Sequence, residues 1–571
     1  MKIVNIIPHA SSGESHQDSG PNIAVNPHNP NEIVISALTP NSGGGNNAPV
    51  FVSINGGDTW TLKNIVPDNG ATGTSGMTLK FGHTSNELYA AALKGTDAYT
   101  MNILRTTNPA AGATMSQLNS MTGEQPYVAV GTVPSGLDAG QDRLYIGTNM
   151  VPPPFSSGLT STIVQTMHAQ TGFPVFSSIN LDSRAKSIPA FQDLQPPRNG
   201  PQVRPAVHKD GTVYALFYSW KSWADPGDGN GMVTSDVVIV RDDNWGQSAI
   251  PYGSLLDSGD GLAGHRIALN VPIKFYGRLG QERTGGELAI AIDPADSSTV
   301  YVAWSERQTE PDGIDVFWLH LRQSTDRGQT WPKSLLTIRN GKNPGLAINN
   351  KGQIGFLYQQ LTGPSNNQHW VTHLAFSQDA SLWNNMVLAR TPADTPARQF
   401  FPYIGDYANI MAVGDVFFGV FCADNTPSLQ NFPQGVTYQR NHNFTTKTLL
   451  GLDGVTPVAA SIDPFFFQTG FVPPTVKVPS QDMTAAVVTI LFGIIQDGGG
   501  AYIDHQGHIH IVGPGDPGPV WDYLLNLAQY RLAMVLNDKS GLEMQKMALQ
   551  HIVDLANDQI GKINEQLGSG L

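Results

Sequence analysis

Apolar residues in this chain come in short alternating bursts, each closed by a turn rich in glycine, proline or asparagine. Residues 314–331, IDVFWLHLRQSTDRGQTW, are the clearest case. Alternation across Val316, Trp318 and His320 predicts a half-buried β-strand. The run breaks at Ser324-Thr325-Asp326-Arg327-Gly328, where Asp-x-Gly offers a side-chain acceptor and a residue free to take positive φ. Thr330-Trp331 then opens a return strand whose indole can pack between layers.

A longer period lies above this one. A strand opened by a small residue or proline begins at 21 (PNIAV) and recurs at 76 (GMTLKF), 126 (PYVAV), 201 (PQVRPAV), 286 (GELAIAI), 344 (PGLAI) and 402 (PYIGDY). Each is followed by a second apolar strand, as in NEIVISAL at 31 and DVFFGVFCAD at 415, and then by a third. Four strands per unit, repeated seven times, predict an all-β fold: a β-propeller with four-stranded antiparallel blades. Seven blades are expected between about residues 5 and 470, with six as the alternative. A partial unit near 458–467 would complete the ring.

The turn motif carries a family resemblance. Ser324, Asp326, Gly328 and Trp331 recur as Ser53, Asn55, Gly57 and Trp60, and in worn form as Ser377, Asp379 and Trp383. The pattern resembles the Asp-box, or BNR repeat, of the sialidase-like β-propellers, where it is a folding element on the outer side. That resemblance implies a carbohydrate ligand at the mouth of the central channel. For a sialidase it implies three arginines clamping a carboxylate, an aspartate acid/base and a tyrosine nucleophile. Arg204, Arg283 and Arg398 would be the clamps and Tyr403 or Tyr407 the nucleophile. The family's Arg-Ile-Pro motif is missing from the first blade, which reads Gln17-Asp18-Ser19-Gly20-Pro21-Asn22; Arg266-Ile267-Ala268 falls in an insertion. True sialidase activity is therefore not expected.

Segments entering the inner strands carry the remaining candidates. Asp18, Glu124, Glu287, Tyr403 and Asp406 are the catalytic candidates, and Arg204, Arg283, Arg398, Gln125 and Lys342 the substrate-binding ones. A ring of carboxylates, arginines and tyrosines can hold a sugar through charge-assisted hydrogen bonds. The competing reading is that these groups bond the backbone ends of neighbouring blades, because polar groups near a propeller axis need partners. Two functions follow: a glycan- or protein-binding propeller without sialidase chemistry, or a glycoside hydrolase with its site at the channel mouth.

Composition narrows the partners. The 571 residues carry a net charge of −13, which leaves no basic patch for phosphates and disfavours both nucleic acid and anionic membranes. No disulfide can form within a chain whose one cysteine is Cys422, expected to be a buried, inert thiol. The N-terminus MKIVNIIPHASSGESH is no secretory signal peptide, so a cytoplasmic location or export by another route is expected. No cofactor is expected beyond a structural calcium. Asp225, Asp228 and Asn230 in one insertion are weak candidates for it, and His508 and His510 are weak metal candidates on one strand face.

Beyond residue 472 the composition changes. A proline- and glycine-rich stretch (473–517) holds an apolar run at 485–495, too short to span a bilayer, and a hairpin. A helical pair follows at 518–571. Trp521, Leu524, Leu525, Ala528, Leu532 and Val535 form one stripe, and Ser540 with Glu543 is a capping box opening the second helix. A pair this small must dock elsewhere, which predicts a module for oligomerisation or attachment to a larger assembly.

Overall fold

The computed structural model describes residues 1–38, 47–67, 73–83, 85–94, 100–150, 160–188, 200–224, 231–274, 287–309, 315–393, 396, 404–405, 407–473, 500–503 and 509–512. Two compact units divide the chain, Met1–Pro474 and Thr475–Leu571.

The first unit opens with β1 (Lys2–Asn5) and then lays down antiparallel sheets in sequence. The first contains β2 (Ser19–Val25), β3 (Ile33–Leu38), β4 (Val50–Ser53) and β5 (Thr61–Lys63). The second contains β6 (Thr74–Phe81), β7 (Leu88–Lys94), β8 (Thr100–Thr106) and β9 (Ser116–Thr122). The third contains β10 (Glu124–Thr132), β11 (Asp142–Met150), β12 (Thr160–Thr166) and β13 (Ser177–Asn180). The fourth is β14 (Val203–Val207), β15 (Val213–Ala224), β16 (Met232–Asp242) and β17 (His265–Lys274). The fifth is β18 (Leu288–Ile292), β19 (Val300–Thr309), β20 (Asp315–Ser324) and β21 (Lys333–Arg339). A parallel bridge between Ile273 and Arg307 fuses these two edge to edge. The sixth contains β22 (Gly341–Ile348), β23 (Ile354–Thr362), β24 (His369–Ser377) and β25 (Asn384–Pro392).

The last sheet is assembled from both ends of the unit. β26 (Asn409–Val413) and β27 (Val416–Asp424) are followed by an insertion holding β28 (Thr437–Tyr438), β29 (His442–Asn443), β30 (Thr448–Leu450) and β31 (Pro457–Val458). β32 (Ile462–Gly470) then pairs with β27 on one side and with β1 on the other, Lys2 opposite Gln468 and Asn5 opposite Phe465. Of the expected 458–467 stretch, the part in β32 completes this sheet while Val458 pairs within the insertion, and the N-terminal strand β1 lies between β32 and β28.

The first strands pack in succession: β2 on β6, β6 on β10, β10 on β14, β14 on β18, β18 on β22, β22 on β26, and β26 back on β2. This is a β-propeller. Its inner strands read as unbroken apolar runs because each sheet is covered on both faces; Ile33, Val34 and Ile35 in β3 are all fully buried. The same packing changes the reading of β20. Phe317, Leu319 and Leu321 are fully buried on one face; on the other, Val316 is buried, Trp318 and His320 are half-buried, and Arg322 Nη1 donates to Ile267 O of the fourth sheet.

Side chains from one sheet seize the backbone of the next at each joint. Asn22 Oδ1 accepts Leu79 N–H, Thr78 Oγ1 donates to Pro126 O, and Glu124 Oε2 accepts Gly200 N–H. Gln202 Oε1 accepts Leu288 N–H, Glu287 Oε2 accepts Asn343 N–H, and Asn343 Nδ2 donates to Gly405 O. The Cys422 thiol donates to Asp18 O, joining last sheet to first. Four inner strands bulge at the same place, with Gly20, Gln125 and Asn343 at positive φ of 65°, 50° and 51°. A side chain at Gly405 would collide with the backbone of Gly20.

The turns at 53–60 and 324–331 have one hydrogen-bond pattern. Ser53 Oγ accepts Gly57 N–H at 2.9 Å, Asn55 Oδ1 accepts Thr59 N–H at 3.0 Å, and Trp60 Nε1 donates to Gly57 O at 3.1 Å. Ser324, Asp326 and Trp331 repeat these bonds with Gly328 and Thr330 at 2.9, 2.9 and 3.2 Å. Each turn joins the third and fourth strands of its sheet. The worn copy departs from the pattern: Asp379 bonds Ser381 N–H, Ala380 takes a left-handed φ of 63°, and Ser377 Oγ has no partner among the described residues. Asp242 Oδ1 takes the serine's role in the fourth sheet, accepting Asn244 N–H and Gly246 N–H.

In the second unit the described residues form one hairpin, β33 (Gly500–Ile503) paired with β34 (Ile509–Val512), with Tyr502 opposite His510. The expected helical pair lies outside the described residues.

Candidate functional site

The inner strands converge on one pocket of about 450 Å³, a volume that includes the solvent at its mouth. Apolar residues of β18, β22 and β26 form much of its wall, among them Leu288, Leu346 and Ile410, with Pro344. Its polar lining is Tyr127, Gln202, Arg204, Glu287, Tyr407 and Asn409.

Arg204 is the centre of this arrangement. Its guanidinium carbon lies 4.3 Å from the centre of the Tyr127 ring and 5.3 Å from that of Tyr407. Nη2 donates to Gln202 Oε1 at 2.6 Å and Nη1 to Val203 O at 3.4 Å. Only 3% of the residue is exposed. Among the described residues these partners are all neutral, so a buried cation faces the pocket with no carboxylate in contact with it, although Glu287 lines the same pocket. Such burial is costly unless an anion completes it. Asn409 Nδ2 donates to Tyr127 Oη at 3.0 Å, fixing the second polar group on the same wall.

Glu287 lines the pocket as well, but its oxygens are engaged. Oε2 accepts Asn343 N–H at 2.7 Å, and Oε1 faces Arg307 Nη2 at 3.6 Å. Glu124 holds Gly200 N–H at 3.2 Å, and Gln125 Nε2 donates to Gly200 O at 3.3 Å. Lys342 Nζ sits 4.8 Å above the Trp370 ring, fully buried. Among the residues singled out from the sequence, Arg204, Glu287 and Tyr407 therefore meet in one pocket, whereas Glu124 and Gln125 tie blade to blade. Arg283, Arg398, Tyr403, Asp406, Asp225, Asp228, Asn230 and His508 lie outside the described residues. His510 is placed only as a backbone position in β34.

Asp18 belongs to a different cluster. Its carboxylate lies with those of Glu14 and Asp463, one oxygen from each falling within 4.8 Å of the others. Arg440 Nη1 is 3.2 Å from Asp463 Oδ2 and 3.8 Å from Glu14 Oε2, and Asn5 and Asn425 donate to Asp463 at 2.7 and 2.8 Å. Burial, then the charges of Asp18 and Asp463, push the Glu14 carboxyl up to about 9. Three carboxylates could in principle ligate a hard cation, but the guanidinium already supplies the positive charge here. The group joins the segment before β2 to β32 and the insertion, which makes it part of the ring's closure.

Sequence reasoning missed Tyr127, Gln202 and Asn409. A signal for Tyr127 was present: it stands directly after the proline of a bulged inner strand, where the first sheet has Asn22 and the sixth Gly345.

No family model matches the chain, and no curated protein matches it. Among solved structures it is similar to a Fusarium graminearum α-L-arabinofuranosidase in complex with arabinobiose, at 11% identity over 81% of this chain and 97% of that one, with a TM-score of 0.32. An ulvan lyase matches at 10% identity over 71% of this chain and 92% of that one, with a TM-score of 0.38. A Trypanosoma rangeli sialidase matches at 12% identity over 85% and 58%, with a TM-score of 0.30. Likeness at this level leaves the chemistry to be read from the residues themselves.

Proposed function

We propose that the axial pocket binds an acidic carbohydrate, a sugar carrying a carboxylate or sulfate. Arg204 carries the proposal: a guanidinium almost wholly buried between two tyrosine rings, with neutral partners, aimed at a pocket. Its fork of N–H donors suits a planar anion, and the amides of Gln202 and Asn409 suit hydroxyl groups. The propeller is read as seven-bladed, the support being one inner strand from each sheet around the axis. Its matching tryptophan turns are read as Asp-boxes. The expected helical pair at 518–571 is assigned to assembly or attachment on the strength of its apolar stripe from Trp521 to Val535.

A glycoside hydrolase is the second reading, and Glu287 at the pocket wall favours it. Two carboxyl groups flanking the scissile bond are the usual requirement. Among the described pocket residues Glu287 is one, and it is already held by Asn343 and Arg307. The hydrolase reading stands beside the binding one.

Calorimetric titration with uronate-containing oligosaccharides and their carboxyl-reduced counterparts tests this. The acidic ligands should bind more tightly, and Arg204→Gln should weaken them by about tenfold or more, the loss of a charge-assisted hydrogen bond. Equal binding of acidic and neutral ligands would overturn the assignment.

A further inference from the structure

The pocket holds what is needed to break an acidic sugar chain by elimination. We propose that it cleaves uronate-containing polysaccharides by β-elimination, with Tyr127 as the base and Arg204 as the group that neutralises the uronate carboxylate. The inference rests on the acidic-sugar reading and adds a reaction to it.

Elimination at a uronate begins at C5, whose hydrogen is adjacent to the carboxylate. Removing that proton places negative charge on the carboxylate, so a cation must already be there. Arg204 is that cation, buried and without a carboxylate partner among the described residues. A base must stand beside it. Tyr127 is half-buried at the pocket wall, its ring 4.3 Å from the guanidinium carbon. Its oxygen accepts an N–H from Asn409 at 3.0 Å. As a phenolate that oxygen is the group that accepts the proton. Tyr407, the other ring against Arg204, is half-buried in the same pocket and can supply the acid.

The step balances without a co-reactant. The C5–H bond breaks and its proton passes to Tyr127 Oη. The electron pair forms the C4–C5 double bond, and the bond from C4 to the glycosidic oxygen breaks. The leaving oxygen takes a proton from Tyr407, and exchange with solvent then removes the proton from Tyr127 Oη and returns one to Tyr407. Hydrolysis would instead need a second free carboxyl group, and the engaged oxygens of Glu287 do not supply one.

The test is incubation of the full chain with polygalacturonate, alginate and chondroitin sulfate, following the ultraviolet absorbance of the unsaturated uronate. Calorimetry on short oligomers of the same polymers runs in parallel. With at least one polymer the wild-type protein should raise the absorbance. Tyr127→Phe should slow that rise by about a hundredfold or more, the usual contribution of a general base, while oligomer affinity changes little. Arg204→Gln should lose both, and matched melting curves would exclude misfolding. Oligomers that bind without any absorbance, or that release reducing ends without it, would overturn elimination and leave the binding reading standing. Failure of every acidic oligomer to bind would overturn both.

Discussion

Glu14 shows how far a single side chain can depart from its ordinary chemistry when the fold gathers like charges. Its side chain is 8% exposed and shares its surroundings with Asp18 and Asp463, with Arg440 as the cation in contact. A carboxyl group raised to about 9 in the folded state and near 4.3 when unfolded binds its proton more strongly when folded. Its contribution to stability is therefore fully present below the unfolded pKa and is lost as pH rises toward 9. Glu14→Gln should remove that loss, raising the melting temperature at pH 8 relative to wild type while changing it little at pH 4. A parallel shift at both pH values would show that the proton is not involved. His373 behaves in the opposite sense. Burial against Tyr358 lowers its pKa to about 4, so the stability it confers is present above about 6.5 and fades as pH falls toward 4. His373→Phe should flatten that acid limb of the melting curve. None of this was legible in the chain, since Glu14 and Asp463 are separated by nearly its whole folded length. Arg204 was legible as a candidate, because an arginine stands out in an apolar inner strand. Its two tyrosine neighbours come from other sheets and give no local signal.

At the scale of elements, the turns were the most legible part of the molecule, because their chemistry is local. Ser324 and Asp326 accept backbone N–H groups two and four residues on, and the tryptophan indole returns to the glycine carbonyl. Every one of these partners lies within eight residues of sequence. The degenerate copy at Asp242 escaped notice because aspartate replaces serine while keeping the same acceptor geometry. Asp326→Ala should cost about 1–3 kcal/mol, the price of leaving turn donors without acceptors. Trp60→Ala should cost more, about 3–5 kcal/mol, since the indole is buried against Phe466 at 5.3 Å. Chemical denaturation of the two variants checks the order, and a larger loss for Asp326→Ala would contradict it. Strand faces were less legible. In β20 both faces meet other sheets, so alternation could not say that Phe317, Leu319 and Leu321 are the side sealed from solvent.

For the whole molecule, the repeat announced the sheets and the partial unit near 458–467, but not the N-terminal strand that locks the ring. Repetition predicts units that stack, whereas closure requires the last sheet to borrow a strand from the other end of the chain. That strand, β1, is four residues long and lies before the first recognisable unit. It supplies Ile3 and Val4, both buried, and its hydrogen bonds cover the edge of β32. Lys2 extends the closure by donating to Gly56 O and Asp58 Oδ1 in the first tryptophan turn, each at 2.7 Å. Nearby Asn5 donates to Asp463, so the strand also anchors the acidic cluster. Deleting residues 1–5 removes two buried aliphatic side chains, worth about 1.5–3 kcal/mol each, together with the edge pairing. The expected result is a lower melting temperature and faster proteolysis near β32, because a ring that cannot close leaves β32 as an open edge. A synthetic peptide of residues 1–8 added in trans should restore much of the loss, since the slot it fills offers strand pairing on both sides, to β32 and to β28. Unchanged melting after the deletion would mean that the inter-sheet joints alone hold the ring. A loss that the peptide cannot reverse would mean that the covalent link to β2 matters more than the strand pairing.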